Sequence, residues 1–163
     1  MSHNHKSYPL SRNFFHACLV LGVLALAGCS FFKTPEVWIN TVSLVVDQDA
    51  NDNSATKVDV IIIYQEGLLD KLMGLSAGDY FRMSDQIRSD NPGALQVFRW
   101  EVAPGQCLFD VPVNITKSLP VGGIVFARYL SEDPHRIRLG KDRDIQIHLR
   151  RKDFSIEPRV KKQ

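Results

Sequence analysis

From Val37 to Arg151 the chain is a succession of short β-branched and aromatic runs cut by Pro, Gly, Asn and Asp. Runs of that length at that spacing read as strands joined by turns rather than as helices alternating with strands. Val37–Asp47 places Val37, Ile39, Val42, Leu44 and Val46 on one side, with an expected bulge near Asn40. Val58–Gln65 is apolar enough to lie centrally in a sheet, and Ala94–Val102, Gln106–Ile115, Gly122–Leu130 and Asp144–Arg151 follow, with a short strand near Ile137. Turn signals at Ala103–Gly105, Lys117–Pro120, Glu132–Pro134 and Gly140–Asp142 separate them. Between residues 67 and 89 the apolar period lengthens to that of a helix. Leu68, Leu69, Leu72, Met73 and Leu75 fit one short helix, and Tyr80, Phe81, Met83 and Ile87 a second, with Ser76 and Asp79 spaced as its N-terminal cap. The expected architecture is mainly β, an antiparallel two-sheet β-sandwich with a short helical insert packed over one end of a sheet.

The first 28 residues do not belong to that domain. Lys6 and Arg12 open a polar segment, an apolar stretch runs from Phe14 to Ala27, and Leu26-Ala27-Gly28-Cys29 closes it with small residues. These are the three parts of an export signal, and the apolar stretch is shorter than the roughly 20 residues a membrane-spanning helix needs. A small-residue site ending in cysteine makes Cys29 the first residue of the mature chain and the carrier of lipid, palmitate among its acyl groups, which tethers without spanning. Ser30 follows, where an Asp would signal retention at the inner membrane, so the expected location is the periplasmic face of the outer membrane. The expected parts are a signal peptide over 1–28, a lipidated tether over 29–36, a β-sandwich over 37–155 and a basic tail over 156–163.

Excluding residues 1–28 from the 163 leaves 135, the size of one ordinary domain. Of the three cysteines Cys18 lies in the signal and Cys29 is acylated, so Cys107 has no partner for an intramolecular disulfide and reads as a small buried residue. The mature chain carries 18 basic and 18 acidic side chains, since Lys6 and Arg12 leave with the signal, which argues against nucleic-acid binding. Its cations gather at the end: residues 29–127 hold 7 basic against 12 acidic side chains, and residues 128–163 hold 11 against 6. Such a run reads as a solvated edge, or as a contact surface for anionic lipid, peptidoglycan or an acidic partner.

Little in the mature chain supports catalysis. His135 beside a turn and His148 in an alternating strand read as surface histidines, and no nucleophile elbow, phosphate loop, zinc signature or cofactor motif is present. Asp47, Asp49 and Asn51 alternate as in a calcium loop, but the glycine at position six is missing and Val58 stands where the terminal glutamate belongs, so an EF-hand is rejected. Trp38 and Trp100 fall in strand patterns and are expected as core anchors.

Taken together, the Leu26–Cys29 site, the first strand, the Ala50-Asn51-Asp52-Asn53 loop and Val58–Gln65 leading into a helical insert resemble the outer-membrane lipoprotein of the type VI secretion system, the TssJ/VasD-like family. The Ala103-Pro104-Gly105-Gln106 turn and Val121–Arg128 resemble that family's later strands, while Leu68–Met73 and Arg136–Arg143 depart from its pattern. The resemblance implies a non-catalytic β-sandwich that docks the periplasmic part of a large, TssM-like inner-membrane subunit and so anchors the membrane complex. It also implies that the loop between the first two strands, Asp47, Gln48, Asp49, Ala50, Asn51, Asp52, Asn53, Ser54, Ala55 and Thr56, contributes to partner binding. The alternatives are a ligand- or peptidoglycan-binding lipoprotein using the basic Arg136–Arg151 region, or a lipoprotein of another envelope-spanning machine.

Overall fold

The structure, a computed structural model, describes residues 37–117 and 119–159. The expected signal peptide, Cys29, the tether and the last residues of the tail lie outside the described residues.

Among the described residues eight strands form two four-stranded sheets. Strands β1 (Thr41–Val46), β4 (Cys107–Pro112), β7 (Asp144–Leu149) and β8 (Phe154–Pro158) make the first, in the order β4-β1-β7-β8. Strands β2 (Thr56–Ile63), β3 (Leu95–Val102), β5 (Gly122–Arg128) and β6 (Arg136–Arg138) make the second, in the order β3-β2-β5-β6. The main core lies between the sheets, where Val42, Leu44 and Val46, with Ile145, Ile147 and Leu149 beside them on β7, face Val58, Val60 and Ile62. Each such side chain, fully withdrawn from water, contributes about 1.5–3 kcal/mol before chain entropy is subtracted.

The sandwich is mixed rather than wholly antiparallel. β1 and β7 run parallel from Thr41↔Asp144 to Val46↔Leu149, and the remaining pairings are antiparallel. A parallel pair needs a crossover between its strands, and here the whole second sheet, with β4, lies between β1 and β7 in the chain. The irregularity expected near Asn40 sits on β4 instead: Phe109 and Asp110 together oppose Ser43, as the register passes from Val42↔Val111 to Leu44↔Leu108. Asp110 adopts φ 51°, and its N–H donates to the buried Ser43 hydroxyl at 3.0 Å.

Helices α2 (Leu68–Met73) and α3 (Ala77–Asp90) cover the outer face of the second sheet rather than its end. Sheet burial on both faces explains why β2 reads as an unbroken apolar run: Val58, Val60 and Ile62 face the main core, and Ile61 and Ile63 face the helices. The cap of α3 is as expected, with the Asp79 N–H donating to the Ser76 hydroxyl at 3.1 Å and that hydroxyl donating to the Asp79 carboxylate at 2.8 Å. Tyr80 pins α3 to the sheet. Its ring stacks on Phe126 with centroids 4.3 Å apart, and its hydroxyl donates at 2.7 Å to the buried Asp59, which also accepts from Arg99 at 3.0 Å. Burial, reinforced by the Asp59 charge, pushes the Tyr80 phenol well above its usual range. Close approach at β5 requires Gly122 and Gly123, where an added Cβ would come within 2.6 Å of Leu69 and of Leu139 respectively.

Four side chains depart from expectation. Trp38 is 41% exposed, because Val37 and Ile39 on either side of it are buried. Cys107 is exposed, since it faces outward on the edge strand β4. His135 is buried and stacks on Tyr129. His148 is half-buried on the outer face of β7, where its Nε2 meets the Asp47 carboxylate at 2.8 Å. The domain also runs past the expected boundary at residue 155, because Phe154–Pro158 pairs with β7.

Candidate partner-binding loop at one end of the sandwich

Residues 47–55 connect β1 to β2 at the end of the sandwich where three other connections converge: 103–106, 129–135 and 150–153. This end is called the loop pole. Within the first connection, α1 (Ala50–Asn53) is a single turn in which Asn51, Asp52 and Asn53 take φ of 49°, 51° and 63°. Left-handed backbone is costly for most residues, and Asn and Asp are the side chains that tolerate it best, so the Asn-Asp-Asn sequence is what permits this turn.

Asn51 is the bracket of the pole. It is 2% exposed, and its side-chain amide donates to the carbonyls of Ala55 at 3.1 Å and Arg128 at 3.4 Å. Its amide oxygen accepts the Leu130 N–H at 2.7 Å, and its own N–H donates to the Arg150 carbonyl at 3.2 Å. One residue thereby joins three of the four connections. Asp52 adds an outer clamp: Arg151 Nε donates to its Oδ1 at 3.0 Å and Lys152 Nζ donates to Oδ2. Those hydrogen bonds, Lys152's first, hold the Asp52 carboxyl below its ordinary range, and Asp52 in turn raises Arg151. Asp47 supplies a third tie, its carbonyl accepting the N–H groups of Ala50 and Gly105, each at 3.1 Å. Gly105 has φ 78°, and a Cβ there would meet the Gln48 side chain at 2.6 Å.

The ten candidate residues therefore divide by exposure. Ala50, Asn51 and Thr56 are buried, Asp47, Asp52 and Ser54 are half-buried, and Gln48, Asp49, Asn53 and Ala55 face solvent. In the sequence Arg151 closes the basic Arg136–Arg151 region and Lys152 follows it, with nothing local to link either to the loop; the fold sets both on Asp52. Leu130, which the sequence pattern places inside a strand, is 68% exposed just beyond the end of β5. Behind it Tyr129 donates to the Asp153 carbonyl, and His135 meets the Ser131 hydroxyl at 2.7 Å. Burial pushes the His135 imidazole below its usual range. Among the described residues no group of three or more His, Cys, Asp or Glu side chains is placed to hold a metal ion, and no helix is long and apolar enough to cross a membrane.

These features define a class: a β-sandwich with one mixed sheet, a helical cover on the other, and a stapled loop pole. The particular fold is TssJ-like. It matches the type VI secretion system lipoprotein TssJ1 of Pseudomonas aeruginosa with a TM-score of 0.59 at 14% identity, covering 79% of this chain and 99% of that one. A chain in a structure of a type VI membrane complex matches with a TM-score of 0.54 at 16% identity, covering 74% and 99%. A chain in the structure of the type VI secretion protein TssM C-terminal domain from EAEC matches with a TM-score of 0.50 at 15% identity, covering 72% and 99%. No family model matches the chain, and no curated protein matches it in sequence.

Proposed function

We propose that this chain is the outer-membrane lipoprotein of a type VI secretion membrane complex. On this reading acylated Cys29 holds it at the periplasmic face of the membrane, and the Asp47–Thr56 loop docks the periplasmic domain of a large, TssM-like inner-membrane subunit. Its role is to anchor the complex through protein contact, without catalysis or cofactor. The observation that carries the reading is the stapling of the loop by Asn51 and Asp52, on a fold shared with a type VI lipoprotein. A loop held before binding loses less entropy when it docks, and a polar loop spends this much side-chain bonding on its shape to the benefit of a rigid epitope. Direct contacts fall to the solvent-facing Gln48, Asp49, Asn53 and Ala55, with Leu130 beside them as an apolar neighbour.

The test is a pull-down from membranes with the lipidated protein in two forms, unaltered and with Gln48, Asp49 and Asn53 replaced by Ser so that the Asn51 bracket is kept. Recovery of a large inner-membrane secretion subunit by the unaltered form alone supports both role and loop. Equal recovery by both keeps the role and moves the interface elsewhere, and recovery of no envelope protein overturns the reading. Cys29→Ala is expected to release the protein from the membrane and stop secretion.

A further inference from the structure

The end of the sandwich opposite the loop pole is where the chain enters the domain at Val37. Burial of Val37 and Ile39 turns the indole of Trp38 outward. Main-chain bonds fix what lies around it: the Asn40 N–H donates to the Arg143 carbonyl at 2.6 Å, and the Val113 N–H donates to the Asn40 carbonyl at 2.8 Å. The β6–β7 connection, residues 139–143, and the β4–β5 connection, residues 113–121, therefore reach the same end. The first carries Lys141 and Arg143, both exposed and neither ion-paired with a described residue. The second carries Leu119, also solvent-facing. Of the acids nearby, Asp144 accepts from the Thr41 hydroxyl at 2.6 Å, which leaves Asp142 as the exposed counter-charge in that connection.

We propose that this end of the domain seats on the phospholipid leaflet that holds the lipid of Cys29, with the Trp38 indole at the boundary between headgroups and acyl chains and Lys141 and Arg143 on anionic headgroup phosphates. The inference rests on the reading of Cys29 as acylated. The chain from Cys29 to Val37, even fully extended, spans at most about 29 Å, so this end cannot stray far from the leaflet. An exposed tryptophan with an apolar body and one N–H donor suits that boundary better than bulk water, and basic side chains within a Debye length of an anionic surface are drawn to it. The loop pole would then be held away by the length of the strands, about 23 Å along β2, with the Asp47–Thr56 loop directed into the periplasm.

The test uses the full lipidated protein with Trp100→Phe, which leaves Trp38 as the single tryptophan of the mature chain; Trp100→Tyr serves if that variant fails to fold. It is reconstituted into phosphatidylethanolamine–phosphatidylglycerol vesicles containing lipid brominated high on the acyl chain. Seating predicts that Trp38 emission shifts to the blue and falls about twofold, less so in vesicles of phosphatidylcholine alone and less with Lys141→Glu plus Arg143→Glu. Protein that floats with the vesicles while Trp38 stays unquenched overturns the seating and leaves the acylation reading intact. Protein that does not float overturns the acylation reading and the seating with it. Quenching that ignores both anionic lipid and the charge reversal overturns the part given to the two cations.

Discussion

At the loop pole Asn51, Asp52, Tyr129 and His148 each reach a neighbouring segment with a side chain. Around Trp38, at the opposite end, main-chain bonds between Asn40, Arg143 and Val113 do much of the joining, side chains add Thr41 to Asp144 and Gln96 to Asn114 and Thr116, and Trp38, Lys141 and Arg143 are left exposed. The difference separates two ways of using polar residues in one small sandwich. Side chains that hold a loop in shape have polar atoms already committed to it, whereas side chains left over on a main-chain scaffold are free to meet whatever approaches. In the Asp47–Thr56 loop the shape-holding residues and the free ones alternate; beside Trp38 the free ones dominate.

The sharpest way to break this comparison is Asn51→Ala. The substitution strips buried bonds from Ala55, Arg128 and Leu130 and puts a poorer residue at φ 49°, so the domain should lose about 3 kcal/mol in urea unfolding. A loss below about 1 kcal/mol would mean that the pole does not depend on its bracket. Acid should act on the same pole next. His135, whose imidazole burial holds below its usual pKa, is neutral when folded and binds a proton more readily when unfolded. Its contribution is therefore complete above pH 6.5 and is lost as pH falls from there through its lowered folded pKa. His135→Gln should flatten the fall in melting temperature between pH 7 and 5, and an unchanged slope would locate the acid sensitivity elsewhere.

Much of the sandwich is legible in the sequence because its signals are local. The apolar run of β2, the cap at Ser76 and the turn at Ala103–Gln106 each follow from neighbouring residues. Trp38 was legible too: a period of two that puts Val37 and Ile39 inside puts Trp38 outside, and the usual preference of tryptophan for cores obscured it. The parallel pairing of β1 with β7 was not, because alternation reports that a strand is half-buried without naming its partner or direction. The same holds for the loop pole. Composition marks residues 47–56 as a loop, but whether Asp52 is free depends on Arg151 and Lys152, about a hundred positions away. β8 escaped because Phe154 and Ile156 are too few to establish a period, and its Pro158 suits the edge position that it holds.

The other end offers smaller effects that sharpen the contrast. Trp38→Ser removes a side chain that is only partly packed, so its stability cost should be about 1 kcal/mol, well below that of Asn51→Ala. The smallest expected change is that of Lys141→Glu with Arg143→Glu. Neither cation pairs with a described residue, and surface charges without a structural partner usually shift stability by less than about 0.5 kcal/mol. Thermal unfolding of the double variant should thus coincide with that of the unaltered protein while its attachment to anionic vesicles weakens. A destabilisation above about 1 kcal/mol would instead make the two cations structural. The end that bears Trp38 would then resemble the loop pole, with its side chains committed to the fold and unavailable to a membrane.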